Sequence, residues 1–258
     1  MSSGEKNSSI KRIDINCDLG EGTNKGDCRQ EALLMPYISS CNIACGGHAG
    51  NQDTILSSLI NASKHKLKVG AHPGYADQEN FGRVSVSISQ SELVISLKQQ
   101  IDRLIFIAKK NDIKVNHIKF HGALYNDIEK DVPLAIYLAE FCRECYPLLR
   151  IIGLADGNLK KACRRLSLDF ISEGFMDRTY LSNGKLSARK AEGAVLEKSN
   201  DVVNQALQIA DKESVTTIDN NVIPLKVDSI CLHGDNPNAL VIARLLQQEL
   251  EKKRFKIQ

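Results

Sequence analysis

The sequence predicts a single α/β domain that folds as a β/α barrel. Short apolar segments alternate with longer amphipathic ones along the 258 residues, which indicates parallel strands joined by helical crossovers. Reactive side chains come directly after five of the apolar segments, and these are His48, His72, His121, Glu173 and His233. A barrel brings all of its strand ends to one rim, whereas an open doubly wound sheet brings only two or three to its crevice. The pattern therefore favours the barrel.

The elements follow from apolar periodicity and from capping signals. Ser89 and Glu92 have capping-box spacing, and Pro133 suits the first turn of a helix. We predict strands at 13–17, 41–45, 68–71, from 117 onward, 150–154, 169–172 and 229–232, with a weaker candidate at 215–218. We predict helices at 53–66, 89–111, 132–144, 159–166, 201–212 and 237–253. Long irregular segments are expected at 75–87 and 179–193, where loops of this length are usually functional or mobile.

Composition excludes several classes of protein. Hydrophobic residues make up 42% and charged residues 25%, as in ordinary globular domains. The net charge is only +3, and the basic residues do not form a cluster that would indicate binding to nucleic acid. No apolar run is long enough to span a membrane. Residues 1–11 are polar and are predicted to be a disordered tail before a domain at 12–258. The eight cysteines lack a secretory signal, so we expect free thiols in the cytoplasm.

The run from His117 to His121 places a lysine between two histidines. His117 and His121 would lie about 13 Å apart on a strand, too far to share one ion, so His117 is expected to be structural. Lys119 and His121 would share one face of the strand about 6.6 Å apart, a distance that suits two groups holding one small substrate. An inward Lys119 would bind an anion or, with a lowered pKa, act as a base; the alternative is a lysine that reaches solvent.

Polar residues alternate along the first strand. Asp14 is expected near its lower end beside a cation, while Asn16 and Asp18 lie nearer the rim and, with Glu21, could bind a divalent metal or an ammonium group. Asp18 with His72 and His121 would make a workable metal triad.

The later loops offer arginines and an acid. Arg178 and Arg189 could clamp a carboxylate or phosphate, or Arg189 could simply form a surface ion pair with Asp177, and both interpretations stay open. The sequence has neither a Walker A loop nor a G-x-S-x-G nucleophile motif, so a phosphate loop and a serine nucleophile are unsupported.

Seven blocks in order along the chain resemble the LamB/YcsF family. One departure is Phe120, where that family usually has proline between the lysine and the histidine. The matching blocks are Asp14-Ile-Asn-Cys-Asp-Leu-Gly-Glu-Gly22, Asn42-Ile-Ala-Cys-Gly-Gly-His-Ala-Gly50, Gly70-Ala-His-Pro73, Asn80-Phe-Gly-Arg83, Lys119 with His121-Gly-Ala-Leu-Tyr-Asn126, Asp177-Arg178 and Cys231-Leu-His-Gly-Asp235.

The resemblance implies a seven-stranded, distorted TIM-like barrel of the glycoside hydrolase/deacetylase type. It implies one component of a cytoplasmic 5-oxoprolinase that, with two further subunits and ATP with Mg²⁺, opens 5-oxo-L-proline to L-glutamate. Homo-oligomer formation is left open. From their positions at the strand ends, and not from the resemblance, the expected catalytic residues are Asp18, His72, Lys119, His121 and Glu173. The expected substrate-binding residues are Asn16, His48, Arg83, Tyr125, Asp177, Arg178, Arg189, His233 and Asp235.

Two other functions remain open from the sequence. One is a stand-alone, metal-dependent deacetylase or amidohydrolase acting on a carbohydrate, with the metal at Asp18, His72 and His121. The other is a chain that binds substrate or partners without catalysing a reaction. Within the 5-oxoprolinase hypothesis, we expect Lys119 and Arg178 to bind the substrate carboxylate or phosphoryl group. His72 or His121 is then expected to be the acid or base, and Asp18 or Glu173 would orient that histidine or hold Mg²⁺.

Overall fold

Seven parallel strands close into a barrel in a computed structural model that describes residues 10–189 and 191–258. The strands of the described chain are β1 (Lys11–Leu19), β2 (Ser40–Ala44), β3 (Lys68–His72), β4 (Val115–Lys119), β5 (Arg150–Leu154), β6 (Phe170–Phe175), β7 (Ser214–Thr216), β8 (Val222–Pro224), β9 (Ser229–Leu232) and β10 (Phe255–Ile257). The barrel order is β1-β2-β3-β4-β5-β6-β9, and β9 pairs back with β1. The predicted β/α barrel is therefore confirmed.

Helices surround this barrel and cover its outer face. They are α1 (Lys25–Glu31), α2 (Gln52–Lys64), α3 (Gln90–Lys110), α4 (Gly122–Ile128), α5 (Val132–Cys145), α6 (Asn158–Arg165), α7 (Ser199–Lys212) and α8 (Ala239–Lys252), with a 3₁₀ helix at Ala32–Tyr37. The predicted capping box opens α3, where the Ser89 hydroxyl accepts from the Glu92 amide at 3.2 Å. Its predicted apolar stripe is buried, with Leu97, Ile101 and Leu104 fully covered. Among the described residues, none of the helices is both long and apolar enough to cross a membrane.

The interior of the barrel is polar and is arranged in layers along the strands. At the lower end, Asp14 accepts hydrogen bonds from Ser40 and Ser229 at 2.5 Å each, and Lys68 Nζ lies 3.5 Å from it. The predicted cation partner of Asp14 is therefore present. Asp14 thus lies far from the rim chemistry.

The middle layer is a buried amide–imidazole chain. The Asn42 side-chain amide donates to the Oδ1 atoms of Asn16 and Asp18 at 2.8 Å. The Asn42 Oδ1 atom lies 2.8 Å from His117 Nε2. A Cβ at Gly70 would lie 2.1 Å from the His117 ring, so this neighbouring strand needs a glycine there. The predicted structural role of His117, away from the rim, fits this position.

Several short elements differ from the sequence-based prediction, which has no counterpart for α1, α4, the 3₁₀ helix, β8 or β10. The weak strand candidate at 215–218 is observed as β7, but it pairs antiparallel with β8 outside the barrel because β6 and β9 pair directly. A tenth strand, β10, pairs with the lower end of β1. This pairing begins at Lys11, two residues before the predicted start of the first strand. The predicted tail at 1–11 was wrong at Lys11, which begins β1, and its residues 1–9 lie outside the described part of the chain. All eight cysteines are free thiols.

Candidate functional site

Lys119 is the centre of the upper layer of the barrel. Its ammonium lies 2.8 Å from Glu173 Oε1, 3.0 Å from Asp18 Oδ1 and 3.2 Å from Asn16 Oδ1, and its side chain is only 2% exposed. Burial alone would lower the pKa of Lys119, but the charges of Asp18 and Glu173 outweigh burial and hold that pKa well above its usual range. Lys119 is therefore a fixed cation at the pocket floor, which argues against the expected alternative of a basic lysine.

Asp18 links this lysine to the first of the rim histidines. Its Oδ2 lies 3.4 Å from His72 Nε2, and its Oδ1 accepts from the Asn42 amide. Burial would raise the pKa of Asp18, yet His72 and Lys119 together hold it well below the usual value. Asp18 is thus an anion that lies between Lys119 and His72.

Three histidines and a glutamate gather beside Asp18. His121 Nδ1 lies 3.0 Å from His72 Nε2 and 3.4 Å from Glu21 Oε1, and His48 Nε2 lies 3.3 Å from the same oxygen. The His48 and His121 rings stack with centroids 3.5 Å apart. Burial, with the charges of His72 and His48, lowers the pKa of His121 to about 3, so its imidazole is neutral at pH 7.

The loops that position these groups are held by side chains that the sequence analysis did not single out. The Glu31 carboxylate accepts backbone N–H bonds from Gly20, Glu21 and Gly22 at 2.7 to 3.2 Å, which fixes the turn after β1. Gln100 of α3 bonds both the N–H and the carbonyl of Gly74, which fixes the turn after β3. Both anchors lie on helices, where an isolated polar residue gives no sequence signal of such a role.

A second pairing joins the loops that follow β6 and β9. His233 Nδ1 lies 2.8 Å from both oxygens of Asp177, and the His233 ring stacks on Phe175. Burial would lower the pKa of His233, but the neighbouring Asp177 carboxylate outweighs burial and raises that pKa. Burial would raise the pKa of Asp177, but His233 outweighs burial and lowers it. Asp177 therefore pairs with His233 and not with Arg189.

Arginines form the outer wall of the pocket. Arg83 pairs with Asp235, and Arg189 Nη2 lies 3.6 Å from the same carboxylate. Arg178 is buried and donates from Nη2 to the Ser187 carbonyl at 2.7 Å and from Nε to the Ala194 carbonyl at 3.4 Å. Arg178 is thus tied to the backbone of the irregular segment, whereas Arg83 and Arg189 share one exposed partner.

The structure brings the predicted site residues to one pocket or directly behind it. Four of them, Asn16, His48, Glu173 and Asp177, support residues that line it. The predicted residues in the lining are Asp18, His72, Arg83, Lys119, His121, Tyr125, Arg178, Arg189, His233 and Asp235. Phe120 is buried, and the His121 backbone N–H still donates to the Pro73 carbonyl at 2.9 Å.

Residues outside the predicted set also line the pocket. Phe175 and Asn126 do so, and both could have been suspected because each lies at or just after a predicted strand end. In the part of the chain that the structure describes, two groups of side chains have ligand atoms within 4.8 Å of one another, close enough to hold a metal ion: Glu21, His48, His72 and His121, and separately Asp18, Cys231 and His233. Asp18 Oδ2 lies 3.4 Å from His72 Nε2, as the predicted triad requires, but the group that contains both His72 and His121 has Glu21 as its carboxylate.

Known proteins resemble this chain in sequence and in fold. The chain is 37% identical over 248 residues to the A subunit of 5-oxoprolinase from Haemophilus influenzae (strain PittEE), covering 96% of this chain and 99% of that relative. The lactam utilization protein of Thermus thermophilus superposes with a TM-score of 0.89 at 29% identity, over 96% of this chain and 99% of that one. The T48 deacetylase shares only the fold, at a TM-score of 0.51 and 12% identity over 96% and 88% of the two chains. The LamB/YcsF family model matches residues 13–258, and the chain belongs to the LamB/YcsF family.

Proposed function

We propose that this chain is the lactam-opening component of a 5-oxoprolinase. In this role it would act in the cytoplasm with two further subunits to convert 5-oxo-L-proline to L-glutamate with ATP. The observation that supports this most is the near full-length match to the A subunit of a 5-oxoprolinase, with 37% identity over 96% of the chain. The structure adds a pocket whose reactive side chains come from five barrel strands and the loops that follow them.

The reaction is difficult because a five-membered lactam is a stable amide and water is a weak nucleophile. ATP would supply a phosphoryl group to the lactam oxygen, which makes the ring carbon easier for water to attack. The pocket suits anionic ligands, since Arg83 and Arg189 lie in its wall with one carboxylate, Asp235, between them. A substrate carboxylate or phosphoryl group could replace Asp235 as their bidentate partner. These two arginines fit the anionic groups better than Arg178, whose N–H groups already bond backbone carbonyls.

In this proposal Lys119 does not bind the substrate carboxylate or phosphoryl group, although the sequence led us to expect that it would. Its ammonium is surrounded by Asp18, Glu173, Asn16 and the Cys231 sulfur at 3.2 Å or less, so few of its hydrogens are available to a substrate anion. It stabilises the two buried carboxylates and fixes the floor on which the substrate ring would lie. Loss of Lys119 should therefore affect both folding stability and turnover.

His233 is the residue we favour as the proton carrier. Asp177 holds its Nδ1 from two oxygens, as a carboxylate does when it orients a catalytic imidazole, and the ring lies in the pocket wall. A neutral His233 would accept a proton from the attacking water and return it to the ring nitrogen as the C–N bond breaks. The product of that step would be a glutamyl phosphate, which a second water would hydrolyse to L-glutamate and inorganic phosphate. The assignment of this role to His72 or His121 remains the alternative; one ring nitrogen of each bonds a backbone carbonyl, and the other lies in the crowded group that contains Asp18 and Glu21.

A metal-dependent amide hydrolase that works without ATP is the second candidate function. The observation in its favour is the group of metal-ligand side chains at Glu21, His48, His72 and His121. Such an enzyme would bind an amide substrate, including an N-acetylated carbohydrate, and would need no partner subunits. A non-catalytic binding protein is the third, and it would tolerate loss of the rim histidines.

The test is glutamate release from 5-oxo-L-proline by the purified chain, alone and combined with the remaining subunits of a 5-oxoprolinase, with and without ATP. The proposal predicts glutamate only when the partner subunits and ATP are both present. Glutamate release by the chain alone without ATP would favour the metal-dependent hydrolase. A reconstituted complex that binds this chain and releases no glutamate would refute the proposed substrate.

A further inference from the structure

Two backbone carbonyls determine which nitrogens of His72 and His121 carry hydrogen. His72 Nδ1 lies 2.8 Å from the Lys119 carbonyl oxygen, and His121 Nε2 lies 2.9 Å from that of Phe81. A carbonyl can only accept, so these two nitrogens are the N–H donors, and in a neutral ring the opposite nitrogen has a bare lone pair. The two bare nitrogens, His72 Nε2 and His121 Nδ1, lie only 3.0 Å apart.

Carboxylate oxygens surround the same point. Glu21 Oε1 lies 3.4 Å from His121 Nδ1 and 4.0 Å from His72 Nε2, and Asp18 Oδ2 lies 3.4 Å from His72 Nε2. All of these atoms are acceptors, and acceptors at such distances repel unless a positive charge lies among them. The arrangement therefore needs a positive charge where they converge, which either a proton on one imidazole or a bound metal ion would supply.

The spacing fits a metal ion. Bonds of about 2.0–2.2 Å to nitrogen and oxygen place neighbouring ligand atoms roughly 3.0–3.5 Å apart around a tetrahedral or octahedral ion. His72 Nε2, His121 Nδ1 and Glu21 Oε1 have separations of 3.0, 3.4 and 4.0 Å before any metal draws them together. Metal-binding histidines also commonly donate their second N–H to a backbone carbonyl, as both histidines do here.

The surroundings are built closely around these side chains. Glu31 fixes the backbone that presents Glu21. His48 stacks on His121, points Nε2 at Glu21, and has its Nδ1 buried without a hydrogen-bond partner among the described residues. A Cβ at Gly82 would lie 2.7 Å from the Cβ of His48, so the loop after β3 packs tightly over the group. The ligands are thus held in place by the fold and do not need to be recruited.

We propose that Glu21, His72 and His121, with His48 beside them, bind one divalent transition-metal ion. Imidazole and carboxylate ligands suit Zn²⁺, Co²⁺ and related ions, and the three proposed ligands line the pocket, so the ion would face the bound substrate. Asp18 stays with Lys119. The inference does not rest on lactam opening, because metal binding is measured on the chain alone.

The test uses protein stripped with EDTA and titrated with Zn²⁺ by calorimetry, with bound metal counted by mass spectrometry. Co²⁺ provides a second readout, since its visible bands report nitrogen and oxygen coordination. We expect one Zn²⁺ per chain in the wild type, and affinity weakened by about 100-fold or more in H121N and by at least about 10-fold in E21Q. H65Q and C145S are matched controls, because His65 and Cys145 are an exposed histidine and an exposed thiol away from the group. Both controls should bind as the wild type does.

Three results would overturn the proposal. The first is a stripped, folded wild type that takes up no stoichiometric Zn²⁺ and shows no Co²⁺ bands, which would leave a proton between the two histidines. The second is unchanged affinity in both H121N and E21Q while thermal unfolding shows that they are folded. The third is loss of binding in C145S, which would place the ion on the surface thiol. Loss of binding in E21Q with an unchanged unfolding temperature of the metal-free protein would support the site even if H121N does not fold.

Discussion

Replacing Lys119 by methionine tests the buried ion network at the centre of the pocket. The change keeps most of the aliphatic stem but leaves Asp18 and Glu173 without their shared cation. The side chains of Lys119, Asp18 and Glu173 are 2%, 9% and 0% exposed, so water cannot replace the lost charge. Breaking a buried ion pair by removing one partner typically costs about 3–5 kcal/mol.

The loss of unfolding free energy in K119M can also be estimated from proton uptake. Without Lys119, one of the two carboxyls should become protonated in the folded state at pH 7. Raising its pKa from an ordinary value of about 4 to about 7 costs roughly 4 kcal/mol, at about 1.4 kcal/mol for each pH unit. In the variant the folded state then holds a proton that the unfolded state has released. The destabilisation of K119M relative to the wild type should therefore shrink as the pH falls from 7 toward 5.

The assay is urea unfolding followed by circular dichroism at pH 7, 6 and 5. The double variant K119M/E173Q should recover about 1–3 kcal/mol of the loss, because one unpaired carboxylate is gone. K226M is the matched control, since Lys226 is 82% exposed and should change the free energy of unfolding by no more than about 0.5 kcal/mol. A loss below about 1 kcal/mol in K119M, or a loss that does not change with pH, would refute the reasoning.

Three further predictions follow from other buried contacts. Burial lowers the pKa of His117 to about 3, so below about pH 6.5 the unfolded state binds a proton that the folded state does not. The free energy of unfolding of the wild type should therefore fall by about 1.4 kcal/mol per pH unit between pH 6 and 4 because of this residue. In urea unfolding, H117N should show a smaller dependence on pH. Gly70→Ala would push a methyl group to within 2.1 Å of the His117 ring and should lower the free energy of unfolding by about 1–3 kcal/mol; an unchanged urea midpoint would contradict this packing. In D177N the pKa of His233 should fall, because its carboxylate partner is lost, and an NMR titration of the His233 ring that shows no fall would count against the pairing.

The rim of the barrel was predictable because strand ends and reactive residues coincide in the sequence. Alternation along the first strand separates Asp14 from Asp18, and the structure places Asp14 at the lower end with Lys68. The same alternation points Lys119 inward. The alternation does not predict which carboxylate Lys119 contacts. Glu173 lies on β6, and β5 separates that strand from β4, which carries Lys119. Partners across a barrel depend on strand register, which a single sequence does not specify.

The unpredicted parts are short elements and distant anchors. The 3₁₀ helix Ala32–Tyr37 contains Pro36 and shows no long apolar period, and β10 has only three residues. Glu31 and Gln100 hold the turns after β1 and β3, yet each is one polar residue on a helix and looks like any solvated side chain. The metal site proposed from the structure differs from the predicted triad in one ligand, Glu21 in place of Asp18. Glu21 lies in a glycine-rich turn whose direction depends on Glu31, while Asp18 is drawn to Lys119.

The most direct measurement of the proposed function is glutamate release by a reconstituted 5-oxoprolinase that contains this chain, its K119M and H233N variants, or the control H65Q. We expect ATP-dependent release with the wild type and H65Q at equal rates. We also expect a loss of about 100-fold or more in H233N, because a general base is removed, and no measurable release in K119M where the variant still assembles. Rates equal to the wild type in both pocket variants, with glutamate still formed, would contradict the assignment of this pocket as the site of lactam opening.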